Sequence, residues 1–96
     1  MPKGDLIPHV DNTAVRVTEW RLAPGAVTGH HRHDYDCVVV PLTAGTLRLV
    51  AHDGITTVEL TPGISYFREA GIEHDAVNAG TAPLAFVDVE LKDRPG

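Results

Sequence analysis

The chain has 96 residues, enough for one domain and too few for two. With 43% apolar and 22% charged residues it has the composition of a soluble globular protein, and no apolar run approaches the ~20 residues of a membrane-spanning helix. A formal charge of −5 with scattered Lys and Arg leaves no basic patch for nucleic acid, and the single cysteine, Cys37, excludes an intramolecular disulfide framework.

The first residues lack the basic-then-apolar pattern of a secretory signal, so a cytoplasmic protein with no membrane partner is expected. One domain is expected over residues 1–96, with an N-terminal arm to about residue 12 and a barrel over residues 13–92. Such an arm can pair with a neighbouring subunit's sheet edge. Residues 93–96 read as a frayed end. Residues 14–22 are rich in β-branched and aromatic side chains and stop at Pro24-Gly25, a strand followed by a turn. Residues 37–42 are a valine run, and residues 46–52 place Leu47 and Leu49 on one face. Asp53-Gly54 is expected to close a hairpin onto residues 55–60, because glycine tolerates the positive φ of a tight turn. Thr61-Pro62-Gly63 makes the next turn. A short strand follows over 64–68, then a loop around Gly71, a strand over 74–78 and a long apolar strand over 84–92. Turns recurring at this density, with no helical pattern, predict an antiparallel all-β barrel or sandwich of eight or nine strands. A core this small without disulfides commonly leans on a partner subunit, so a homodimer is expected.

The chemistry concentrates in three histidines. Alternate residues of a strand share a face, so His31 and His33 should point the same way, with His30 and Arg32 turned outward. Two imidazoles at that spacing can bend toward one ion, and His74, supplied from a facing strand of a closed barrel, would give a third nitrogen. Taken singly, His9 and His52 read as ordinary surface or hydrogen-bonded residues.

A glycine frame surrounds these histidines. Gly25, five residues, then His31-Arg32-His33 fits the first motif of the cupin superfamily. Gly63, five residues, Glu69-Ala70-Gly71, two residues, His74, three residues and Asn78 fits the second, with Glu69 at the usual proline. The chain therefore resembles a small single-domain cupin, and the resemblance covers residues 25–78. It implies an antiparallel double-stranded β-helix, or jelly-roll, barrel. It also implies a divalent transition metal (Fe, Mn, Ni or Zn) held inside by His31, His33 and His74. The glutamate that usually completes such a site is missing. Cys37 and Val38 stand at its two usual spacings and Asp36 one place earlier, so Asp36 or Cys37 is a candidate fourth ligand. An inward Cys37 would resemble thiol dioxygenases, a cupin branch with a three-histidine Fe(II) site, whereas its ordinary reading is a small buried hydrophobe.

Tyr35, Asn78 and Phe67 are candidate pocket residues, and Trp20 and Tyr66 could join them. Asn78 has an alternative use, holding a neighbouring loop by hydrogen bonds. Arg21, Arg48 and Arg68 could bind a carboxylate but read as surface residues. Glu73 should face away from His74. Glu19 and Glu90 could orient a histidine from behind, as metal-bound imidazoles usually donate their second N–H to an acceptor. Three readings follow: a metal-dependent enzyme acting on a small organic molecule, a non-catalytic small-ligand or metal-binding sensor module, and a thiol-dioxygenase-like Fe(II) oxygenase.

Overall fold

The computed structural model describes residues 2–92; the expected frayed end at residues 93–96 lies outside them. Nine strands and no helix make up the described chain, in the order β1 (Asp5–Asp11), β2 (Val15–Leu22), β3 (His31–Arg32), β4 (Asp36–Pro41), β5 (Gly45–Ala51), β6 (Gly54–Leu60), β7 (Tyr66–Arg68), β8 (Glu73–Asn78) and β9 (Leu84–Leu91). Among the described residues no helix is long and apolar enough to cross a membrane.

Two antiparallel sheets form, ordered β1-β2-β9-β4-β7 and β3-β8-β5-β6. The fold is the all-β antiparallel jelly-roll barrel that the motifs imply. Strict alternation builds its interior: Cys37, Val39 and Pro41 of β4 are buried, as are Leu84, Phe86 and Asp88 of β9. Leu22, Leu47, Leu60 and Ala76 complete the apolar core with them, and Trp20, Leu49, Val58 and Tyr66 pack against it.

Two expected features differ. The segment read as an arm contributes β1, which pairs along β2 of its own chain with a register irregularity between Pro8 and Val10. Proline lacks an N–H, so Pro8 suits an edge strand. The β5–β6 hairpin closes one residue early: Ala51 pairs with Gly54, leaving His52 and Asp53 as the turn, and Gly54 opens β6 at φ 146°. That conformation is open to glycine at little cost.

The candidate metal centre

β3 is only two residues long, yet it is firmly tied. His31 pairs with His74 and Arg32 with Glu73 in the β3–β8 ladder. His33 continues past the strand: its N–H donates to the Ile72 carbonyl at 2.9 Å and its own carbonyl accepts the Gly71 N–H at 2.6 Å. Gly71 holds φ at 92°, so the bend before β8 can present both groups to His33. Gly29, at φ 90°, does the same upstream, with its N–H bonded to the Asp75 carboxylate at 3.1 Å. The Thr28 hydroxyl accepts the Ala76 N–H at 3.2 Å, which locks the approach to β3 onto β8.

This frame gathers His31, His33 and His74 at one point. His31 Nε2 lies 3.0 Å from His33 Nε2, which lies 3.1 Å from His74 Nε2. The three rings meet edge to face, with centroids 4.7, 4.9 and 5.0 Å apart. Two imidazole nitrogens bound at about 2.1 Å to a shared ion stand about 3.0 Å apart at a right angle and about 3.4 Å apart at a tetrahedral angle. The two spacings to His33 Nε2 match the right-angled case. Behind the cluster, His31 Nδ1 lies 2.8 Å from the Gly29 carbonyl, which can only accept; the proton therefore sits on Nδ1 and frees the Nε2 lone pair. Burial first, then the charge of neighbouring His31 and Arg68, pushes His33 down to about 4. Burial and Arg68 push His74 down to about 3. Both are neutral near pH 7, the state a metal ligand needs. The donor set therefore fits a divalent transition ion.

His74 reaches the cluster from the strand next to β3, not from a facing wall, which corrects the expected placement. Neither candidate fourth ligand joins the three nitrogens. Asp36 is exposed and its carboxylate accepts the Ala70 N–H at 2.9 Å. Cys37 does point inward, but into the apolar core, with none of its surface exposed, and burial pushes its thiol up to about 12. Of the three candidate pocket residues, Asn78 and Tyr35 lie elsewhere. Asn78 donates from its amide nitrogen to the Leu22 and Ala82 carbonyls, both at 2.9 Å, and its oxygen accepts the Gly80 N–H at 3.0 Å. It is a loop clamp. Tyr35 is half-buried beneath the Arg16 guanidinium, whereas Phe67, exposed on β7, lines the groove that reaches His74. Glu19 is engaged by Arg21 and His9, and Glu90 by a two-bond contact with Arg16, so neither orients a histidine of the cluster. Glu73 is exposed beside His30, turned away from the site as expected.

An interior cavity of about 20 Å³ adjoins the histidines and is also lined by Trp20, Tyr66, Arg68 and Asp88. Outer grooves reach the cluster from two sides. One touches His74, Arg68 and Tyr66, the other His31, His33 and Asp88. Arg68, expected at the surface, is buried here: one guanidinium nitrogen lies 3.2 Å from His74 Nδ1 and the other donates to the Tyr66 hydroxyl at 3.0 Å. Asp88 is the interior group that sequence reasoning missed. Its signal was its phase, since it continues the inward series of Leu84 and Phe86 along β9. Burial raises its carboxyl to about 7, against the opposing pull of Arg68.

A family model described as a cupin domain matches residues 18–90. The chain is 54% identical over 84 residues to the beta-alanine degradation protein BauB of Pseudomonas aeruginosa, covering 88% of each. A crystal structure of a cupin domain from Bordetella pertussis superposes with a TM-score of 0.92 at 44% identity, covering 96% of both chains. A conserved protein with a double-stranded β-helix domain from Klebsiella pneumoniae shares the fold at a TM-score of 0.78 and 20% identity, covering 98% of this chain and 81% of the other.

Proposed function

Since this chain belongs to the cupin domain family, we propose that it is a metal-dependent cupin that binds one divalent transition ion through His31, His33 and His74 and acts there on a small organic molecule. The convergence of three Nε2 atoms at 3.0 and 3.1 Å carries this reading. A three-nitrogen face leaves positions open for a ligand, which favours an iron, manganese or nickel type of site over a closed four-coordinate zinc one. When bound, the ion would supply Lewis acidity or, as Fe(II), a place for dioxygen beside the substrate. The chain's own groups do the rest. The Gly29 carbonyl fixes the His31 tautomer, the β3–β8 ladder sets the imidazole directions, and Trp20, Val39, Leu47 and Phe86 form the apolar side of the cavity. The similarity to the beta-alanine degradation protein supports β-alanine, or the small acids formed from it, as the molecule handled.

Metal content of untagged protein, followed by oxygen-uptake and product assays with β-alanine and with the three-carbon aldehyde acid that transfer of its amino group to a keto acid leaves, tests this reading. About one ion per chain and metal-dependent consumption of one of these compounds is the expected result. Full metal loading with no consumption of either would replace the enzyme by a binding module. The absence in the cluster of any carboxylate ligand favours that second reading.

A further inference from the structure

Beside the histidines the cavity holds one carboxyl, Asp88, which burial pushes up to about 7. Three imidazoles converge there, and the Arg68 guanidinium is added. Arg68 is only 9% exposed, yet among the described residues no carboxylate lies within ion-pair distance of it. Its shown partners are the Tyr66 hydroxyl and the His74 ring. A guanidinium carries five N–H donors in a planar fork shaped for a carboxylate, and an unpaired charge is costly to bury. Arg16, at the partly exposed rim, shows the contrast: it holds Glu90 through two bonds of 2.8 Å.

The arrangement around Arg68 explains why it stays unpaired. It pairs through the β4 ladder with Cys37, whose other register partner is Glu90, and Asp88 stands one row on, opposite Val39. Arg68 and Asp88 thus stand on the strands either side of β4 and both line the cavity; no ion pair joins them, though the Arg68 charge acts on the Asp88 carboxyl. Arg68 also borders the outer groove that reaches His74 and Tyr66.

We propose that Arg68, with the Tyr66 hydroxyl, is a carboxylate-binding subsite beside the three histidines, so that the molecule this site takes is a small organic anion. The inference rests on the proposed function and deepens it by naming the residues that take the carboxylate. Its experiment separates the two, because the subsite keeps its charge when no ion is present. The anion's carboxylate would lie on Arg68 and its remainder in the groove shared by His74 and Tyr66.

Isothermal titration of the protein as purified and after chelation, with propionate, β-alanine, propionamide and propylamine, tests the proposal. In chelated protein the two carboxylates are expected to bind, with propionamide and propylamine at least ~10-fold weaker, the size of effect a charge-assisted hydrogen bond supplies. Arg68→Met should weaken propionate by a similar factor, and Arg68→Lys should restore part of it. Propionamide binding as well as propionate, or no carboxylate binding to the chelated protein, overturns the proposal. So does undiminished propionate binding to a folded Arg68→Met variant. Should that variant fail to fold, the acid-to-amide ratio of the wild type decides. Absence of metal from the purified protein would instead count against the metal reading and leave this result standing.

Discussion

His31 and His74 stand directly opposite each other in the β3–β8 ladder, so the metal ligands are joined through one pair of hydrogen-bonded strands. Truncating either ring removes a ligand without cutting that ladder. His31→Ala and His74→Ala are each expected to lower metal affinity by more than the ~100-fold that loss of a supporting residue costs. Competition against a chromogenic chelator measures this, and a change below tenfold in both would show that the ion is held elsewhere.

Asn78 ties the end of β8 to two other segments, through Leu22 on β2 and through Gly80 and Ala82 in the turn before β9. It is 2% exposed, so water cannot replace its partners. Asn78→Ala should destabilise the metal-free protein by about 2–4 kcal/mol in urea unfolding, from several buried groups left unsatisfied. Unchanged stability would mean these bonds contribute nothing net.

Cys37 gives the opposite kind of prediction. Its thiol is buried in the apolar core and held protonated, so Cys37→Ala should cost only about 1–2 kcal/mol of stability and leave metal stoichiometry unchanged. Loss of metal in that variant would place its sulfur at the ion.

The pH dependence of the metal-free protein has two opposed parts. His33 and His74 titrate near 4 and 3 when folded but near 6.5 when unfolded, so their stability contribution is complete above pH 6.5 and lost as pH falls toward 4. Asp88 is raised to about 7 from 3.8, so its contribution is complete below 3.8 and lost as pH rises through 7. Around pH 5 the unfolded chain should therefore bind a net excess of about one proton over the folded one. Asp88→Asn should raise that to about two, seen as a steeper fall of stability from pH 6.5 to 4.5. An equal slope in wild type and variant would remove Asp88 from the account.

The sequence makes the strands and the histidine site legible for one physical reason, the two-residue period of a strand combined with turns marked by Gly and Pro. That period places His31 and His33 together and puts Leu84 and Phe86 inside. It could not show that β1 is an edge strand of its own sheet, because an exposed edge strand with Pro8 in it has a weak apolar pattern. Nor could it say which strand lies beside which, so His74 was expected across the barrel from its actual neighbour. Arg68 defeats composition-based reasoning altogether. Arginine is rarely buried without a partner, and only the register of β7 against β4 reveals that this one points inward beside Cys37.

Anomalous scattering from crystals of the reconstituted protein tests the central claim most directly. A single peak is predicted about 2.1 Å from each of the Nε2 atoms of His31, His33 and His74. A peak at Cys37 or Asp36 instead, or none at the three histidines after reconstitution, would contradict it.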